Sequence, residues 1–160
     1  MITRLTQFVT FLILAKFETA PTENTLMQTP PKIGTTGERK FTVETAHAIS
    51  FGATGPPPVL STPWLVWFLE HAALDAALPF LEPGEITVGT RVEVDHLAAT
   101  PVGAQVTCTA RIVHSEGPVI SYQLEASDEH ETIARGFHKR RAVKIDRFAA
   151  RVQKKIAPSQ

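Results

Sequence analysis

One segment constrains the fold of this chain more than any other. Residues 64–78, WLVWFLEHAALDAAL, are apolar in almost every direction, and the interruptions are Glu70, His71 and Asp75. Thr62 followed by Pro63 is typical of a helix start, because a hydroxyl at the N-cap accepts a free amide hydrogen and proline suits the first turn. Pro79 marks the end of the helix. A helix that is apolar on every side is buried on every side, so the remaining chain must wrap around it.

Alternating apolar and polar residues predict strands before and after this helix. One strand lies at residues 38–45, and four follow the helix, at about 86–97, 105–114, 119–127 and 132–145. In the second and third of these four, the residues expected to point inward are Val106, Cys108, Ala110, Ile112, Ile120, Tyr122, Leu124 and Ala126. In the first of the four, the residues expected to share the inward face are Val88, Thr90, Val92, Val94 and His96. The basic tail at 147–155 is expected to be helical.

This order of elements predicts an α+β protein with the hot-dog fold, in which an antiparallel sheet is wrapped around one long buried helix. With a single core helix the sheet cannot be a doubly wound parallel one. One sheet around one helix leaves a strand edge and apolar surface open, so we expect the unit to pair with a copy of itself as a homodimer.

The N-terminal segment is expected to stand apart from this domain. The stretch LTQFVTFLILAKF at residues 5–17 is too short and too interrupted to span a bilayer, and a polar stretch with three prolines follows it. We therefore assign residues 1–35 to a flexible or processed segment and residues 36–155 to the domain. Met27 is a candidate for the true start, and an amphipathic or export segment is the alternative. The expected location is cytoplasmic, with export left open.

Composition narrows the functional classes. Sixteen basic and sixteen acidic residues give no net charge, which argues against a nucleic-acid partner. A single cysteine, Cys108, excludes an internal disulfide and a zinc site built on cysteines. Six histidines show no paired metal-ligand spacing, so we expect neither a metal nor a cofactor.

Three polar residues occupy positions where the pattern calls for apolar ones: Thr62, Glu70 and His96. Each also has a structural explanation. Thr62 caps a helix, His96 at a strand end is a satisfied structural histidine, and Glu70 pairs with His71 or Arg91. As a functional alternative, a buried carboxylate and a histidine form a base and acid pair.

Several sequence blocks make the functional alternative more specific. LEPGE at 81–85, VGT at 88–90, HLAATPVG at 96–103 and GFHKR at 136–140 occur in order. Over about residues 34–155 the chain resembles the fluoroacetyl-CoA thioesterase-like family of hot-dog proteins. The resemblance implies that Thr62, Glu70 and His96 are catalytic, and that Gly89 and Arg140 lie at the substrate. The adjacent charges of Lys139 and Arg141 suggest a surface strand that contacts CoA phosphates, with a role in solubility as the alternative.

The resemblance implies a thioesterase that hydrolyses an acyl-CoA to the free acid and CoA. The loop before the helix departs from the family pattern, because Ala53 and Pro56 stand where the fluoroacetyl-selective enzyme has lid aromatics. We therefore expect a short-chain or aromatic acyl group. The alternatives are a non-catalytic acyl-CoA-binding module and a hot-dog hydratase or dehydratase.

Helix geometry adds a constraint on such a site. Thr62 and Glu70 are eight residues apart in the sequence, which is about 12 Å along a regular helix. Side chains at this separation do not readily touch. Either the helix begins irregularly, or residues of two subunits meet at one site, and we favour a dimer with two shared sites.

Overall fold

The structure, a computed structural model, describes residues 26–156. Within this range it has seven β-strands, two α-helices and two short 3-10 turns. The strands are β1 Thr36–Thr42, β2 Ala48–Ile49, β3 Val59–Leu60, β4 Glu85–His96, β5 Gln105–Glu116, β6 Val119–Ser127 and β7 Thr132–Lys144. The helices are α1 Thr62–Ala77 and α2 Ile145–Ile156, and none of the helices in this range is long and apolar enough to cross a membrane.

Five strands form one antiparallel sheet in the order β1-β5-β6-β7-β4, and β2 pairs separately with β3. The sheet curls around α1, whose buried side chains include Leu65 and Leu69. The inward faces predicted for β5 and β6 are confirmed, since all eight of their apolar residues are buried. The α+β hot-dog fold predicted from the sequence is confirmed as well.

The helix α1 is not buried on every side, and this part of the prediction is wrong. The Trp67 side chain is 44% exposed and stacks at 3.7 Å between ring centroids on His71. Phe68, on the same side, stacks on Phe41 of β1 at 3.5 Å. The sheet of one chain covers only part of the helix circumference, so this aromatic side is left partly open.

Strand β4 carries an irregularity that changes which of its residues face the helix. The pairing of β4 with β7 shifts between Gly89 and Arg91, which is a β-bulge. Glu85 and Thr87 before the bulge are buried, so the odd-numbered residues face inward there. After the bulge the even-numbered residues face inward, with Val92 paired to the buried His138. The single inward face predicted for Val88, Thr90, Val92, Val94 and His96 is therefore wrong for Val88 and Thr90.

The segment just before β1 contacts the domain. Met27 is 5% exposed, and its backbone amide donates to both carboxylate oxygens of Glu85 at 3.2 and 3.3 Å. Residues 1–25 lie outside the described residues, so the assignment of 1–35 to a flexible or processed segment stays a prediction. The structure adds that Met27 itself is buried against the domain.

Candidate active site

Backbone hydrogen bonds tie the residues at the start of α1 to the loop after β4 and to the 3-10 turn before β2. The Leu60 amide donates to the Thr100 carbonyl at 2.8 Å, and the Ser61 amide donates to the His47 carbonyl at 3.0 Å. Ser61 is the N-cap residue of α1, and the N-cap position predicted for Thr62 is therefore wrong. Thr62 is the first helical residue, and its hydroxyl points to β4 instead.

Thr62 and His96 form a hydrogen-bonded pair. The Thr62 Oγ1 lies 3.0 Å from His96 Nδ1. Burial lowers the pKa of His96 below its usual value of 6.5, because the charged imidazole is disfavoured away from water. Nδ1 of the neutral ring can accept the hydroxyl proton, which requires the tautomer with hydrogen on Nε2. Within the described part of the chain, the buried Nε2 has no hydrogen-bond partner.

A cleft of about 380 Å³ opens over this pair. Its apolar walls come from the β2–β3 segment and from the residues after β4, including Ile49, Phe51, Leu97 and Ala98. The arrangement suits a small apolar group held against a polar, reactive pair.

Glu70 lies in a second cluster. Its Oε1 is 3.4 Å from His138 Nε2 and 3.6 Å from Arg140 Nη1, and its side chain is 36% exposed. The pairing that the sequence suggested with His71 or Arg91 is not the one observed. His71 instead contacts the Trp67 carbonyl at 2.7 Å, and Arg91 pairs with Glu93.

Gly89 adjoins the Glu70 carboxylate. A Cβ atom built on Gly89 would meet Glu70 Oε1 at 2.4 Å and His138 Cε1 at 3.3 Å. The Glu70 carboxylate thus occupies the space that a side chain at position 89 would need. The bulge after Gly89 turns this residue toward the helix, where an unbroken strand would have turned it away.

Arg140 is buried, at 7% exposure, and not on a charged surface. Its guanidinium donates to the Thr87 hydroxyl at 2.9 Å and to the Thr87 carbonyl at 3.0 Å. The surface position that the sequence suggested for it is wrong, because the alternation of β7 turns Arg140 inward and leaves Lys139 and Arg141 outside. A direct role of Arg140 at the substrate stays a prediction.

Residues 43–146 match the model of a family described as fluoroacetyl-CoA-specific thioesterase. This chain belongs to the fluoroacetyl-CoA-specific thioesterase family. A fluoroacetyl-CoA thioesterase of Streptantibioticus cattleyicolor is 39% identical over 99 residues, which are 62% of this chain and 71% of that protein. The predicted resemblance is confirmed.

Solved structures of thioesterases agree with this assignment. The fluoroacetyl-CoA thioesterase FlK superimposes with a TM-score of 0.72 at 33% identity, covering 79% of this chain and 98% of that one. A Thermus thermophilus protein described as a thioesterase superfamily member gives 0.73 at 30% identity, covering 79% and 93%. The chain is thus a thioesterase with the hot-dog fold.

Residues 43–146, which match the family, include the Thr62–His96 pair and the cluster around Glu70. They also include one residue of that cluster, His138, that the sequence did not indicate. The sequence shows His138 only as part of the GFHKR block, yet its Nε2 lies 3.4 Å from Glu70 Oε1. His138, Arg140 and Ala142 alternate on the buried face of β7, but the adjacent charged residues hide this alternation in the sequence. Among residues 26–156 no group of three or more His, Cys, Asp or Glu side chains is arranged to hold a metal ion.

Proposed function

We propose that this thioesterase hydrolyses the thioester of a short-chain or aromatic acyl-CoA, with Thr62, Glu70 and His96 as catalytic residues. The observation that carries the proposal is the 3.0 Å hydrogen bond between Thr62 and His96 beneath the apolar cleft. A hydroxyl joined to a neutral imidazole is a nucleophile and base arrangement, and it fits attack on a carbonyl.

In the proposed reaction His96 acts first as a base. It accepts a proton from the Thr62 hydroxyl, or from water held by that hydroxyl, as the oxygen attacks the thioester carbonyl. The same proton then passes to the departing CoA sulfur. Where Thr62 is the attacking group, an acyl-threonine remains. A water molecule that His96 deprotonates then hydrolyses this ester, which releases the free acid and returns the proton to the Thr62 hydroxyl. The oxyanion that forms needs donors aimed at it. The candidate is the Gly89 amide, which adjoins Glu70 and can reach this pair only from a second subunit.

Glu70 is too far from this pair to act with it inside one chain. Gly89, which adjoins Glu70, and His96 lie on the same strand seven positions apart. An extended strand rises about 3.3 Å per residue, so the two clusters are on the order of 20 Å apart. We propose that Glu70 completes the Thr62–His96 pair of a second subunit, in a homodimer with two shared sites.

The edge of the sheet supports this assembly. Strand β4 has 12 residues and pairs with β7 alone among the strands of the described chain, so its other edge is free to pair. Antiparallel pairing of two β4 strands centred on Glu93 would bring the Gly89 end of one beside the His96 end of the other. It would also place Arg91 of one strand opposite Asp95 of its partner, which joins opposite charges.

The acyl group is proposed from the cleft and from the loop before α1. Ile49 and Phe51 give the cleft apolar walls suited to a short or aromatic acyl chain. Ala53 and Pro56, by contrast, supply no aromatic side chain at the positions aligned with the lid of the fluoroacetyl-selective enzyme. The name of the Streptantibioticus cattleyicolor relative supports a CoA thioester as the substrate class.

The test is thiol release from a panel of acyl-CoAs, including acetyl, fluoroacetyl, butyryl and benzoyl, for wild type, His96→Ala and Glu70→Ala. We expect turnover of at least one non-fluorinated thioester and its collapse in both variants. Cys108 should add little background to a thiol reagent, because burial raises the pKa of its thiol to about 12. Absence of release from every thioester would overturn the proposal. If acyl-CoA then still raised the melting temperature, the binding-module alternative would replace it.

A further inference from the structure

His138 is enclosed by four elements of the fold. Its side chain is 1% exposed in the isolated chain. Glu70 faces it from α1, Arg140 from β7 and Tyr122 from β6, with the Tyr122 and His138 rings 6.0 Å apart. From β4, the Arg91 backbone carbonyl lies 2.7 Å from Nδ1.

These contacts fix the tautomer of the ring. A carbonyl oxygen can only accept, so Nδ1 must carry a hydrogen and donate it to Arg91. In the neutral ring Nε2 then bears a lone pair. Arg140 Nη1 lies 3.2 Å from Nε2 and can donate to it.

The guanidinium of Arg140 is thereby held on two sides. Thr87 accepts from Nε and Nη2, and His138 accepts from Nη1. Glu70 Oε1 lies 3.6 Å from that same Nη1. Nη1 also donates to the Glu70 backbone carbonyl at 3.4 Å, and His138 Nε2 itself lies 3.4 Å from Glu70 Oε1. The orientation of the Glu70 carboxylate therefore depends on His138 both directly and through Arg140.

A protonated His138 would break this chain of contacts. Its Nε2–H would compete with Arg140 for the Glu70 carboxylate. The charged imidazole would also lie beside the positively charged guanidinium of Arg140. Burial lowers the pKa of His138, and the nearby charge of Arg140 acts in the same direction, against the opposing effects of the Arg91 carbonyl and Glu70. The neutral ring is thus the form that the surroundings support.

We propose that His138 is a positioning residue, which as the neutral Nδ1–H tautomer fixes Arg140 and through it aims the Glu70 carboxylate at the thioester. This inference rests on the proposed catalytic function of Glu70. His138 is buried behind Glu70 and Arg140, so it acts on the substrate only through these two side chains.

The first test is independent of activity. Long-range ¹H–¹⁵N correlation spectra of the wild-type protein report the tautomer of each histidine, with His138→Gln used to assign the signal. We expect a neutral His138 with hydrogen on Nδ1 at pH 7. A ring with hydrogen on Nε2, or a doubly protonated ring at that pH, would overturn the proposal. Because no substrate is involved, this outcome is separate from any failure of the thioesterase assay.

The second test compares His138→Leu, His138→Gln and the neighbouring Tyr122→Phe. Leucine removes the acceptor, so we expect kcat to fall by about 100-fold with little change in KM, as misplacement of a catalytic group does. The glutamine oxygen can accept from Arg140, so His138→Gln should recover part of that loss. Tyr122→Phe removes a buried hydroxyl that has no hydrogen-bond partner among the described residues and should keep the wild-type rate.

Two kinetic outcomes would contradict the positioning role. One is an unchanged kcat in a folded His138→Leu protein. The other is equal loss in His138→Leu and His138→Gln, which would indicate that the ring acts only through packing. Melting temperatures of all three variants show which of them are folded, and the tautomer measurement decides the matter if the leucine variant is not.

Discussion

At the scale of single residues, the chemistry of the site depends on how each side chain is surrounded. His96 is the clearest example, since it meets Thr62 through one nitrogen while the other is buried without a partner in the described chain. Burial lowers its pKa below 6.5, so the ring is neutral at pH 7 and available as a base.

This environment predicts the pH dependence of the reaction. The basic form of His96 is present above its pKa and is lost as the pH falls through it, so kcat/KM should decline on the acid side at a pH below 6.5. His96→Ala should lower kcat by about 10²–10⁴-fold, the usual contribution of a general base. Initial rates between pH 4.5 and 9 would check both. Midpoint inactivation well above pH 6.5, or a variant with the wild-type rate, would exclude His96 as that base.

The sequence identified Thr62 and His96 as polar residues at positions where the pattern calls for apolar ones. It did not show which residues they contact. Thr62 next to Pro63 fits a helix cap equally well, and only the structure shows that its hydroxyl turns to β4, where it hydrogen-bonds His96. Arg140 was placed on the wrong side of its strand because three consecutive charged residues suggest a surface. Which member of such a run is buried depends on the register of the sheet, which one strand alone does not reveal.

At the scale of elements, close contact between α1 and β1 depends on Gly37. A Cβ at this position would lie 2.1 Å from the Ala72 carbonyl and 2.5 Å from the Ala76 amide. These are backbone atoms that cannot turn aside, so Gly37→Ala must push the strand from the helix. We expect a loss of about 1–3 kcal/mol in unfolding free energy, as for an overpacked core. Urea unfolding should show it, with the exposed neighbour Thr36→Ala as control, and equal stability of the two would contradict it.

The contacts of Glu85 with Met27 and Lys144 predict a stability that depends on acid pH. Burial alone would raise the pKa of Glu85, but Lys144 and the amides of Glu82 and Met27 outweigh it and hold the pKa below 4.5. A lowered folded pKa gives stability that is present above the unfolded pKa and is lost as the pH falls through the folded one.

Glu85→Gln removes this charge and should cost about 1–3 kcal/mol at pH 7. The difference from wild type should shrink below pH 4.5, where the wild-type carboxylate is protonated too. Thermal unfolding at pH 7 and pH 3, with exposed Glu129→Gln as control, measures both. If Glu85→Gln lost the same unfolding free energy at both pH values, the charge of Glu85 would have no part in these contacts.

The alternation of polar and apolar residues predicted most of the sheet correctly and failed at one element. On β5 and β6 the inward residues follow a period of two without interruption, so they could be identified from the sequence. On β4 one extra residue follows Gly89. The residues before it therefore point to the opposite face from the one that the alternation after it predicts. The glycine in VGTRV is compatible with a bulge, but it does not reveal where the extra residue lies, because the bulge is set by pairing with β7.

At the scale of the whole molecule, the fold keeps two polar clusters of one chain apart. The Thr62–His96 pair and the Glu70 group lie toward opposite ends of the inward face of β4. The helical spacing of Thr62 and Glu70 argued against direct contact on the sequence alone, with an irregular helix start as the alternative. What the sequence could not provide was the position of the free β4 edge, since strand order depends on contacts distant in the chain.

A shared site predicts a particular pattern of complementation. A heterodimer of one His96→Ala subunit and one Glu70→Ala subunit has one site with both defects and one site with neither. Purified through two different affinity tags, it should show about half the wild-type activity per dimer, while each homodimer is inactive. The matched control joins His96→Ala with Thr62→Ala, because both defects then fall on the same side of each site and neither site is intact. Activity equal to that control, or a protein that sediments as an active monomer, would place all three catalytic residues within one chain.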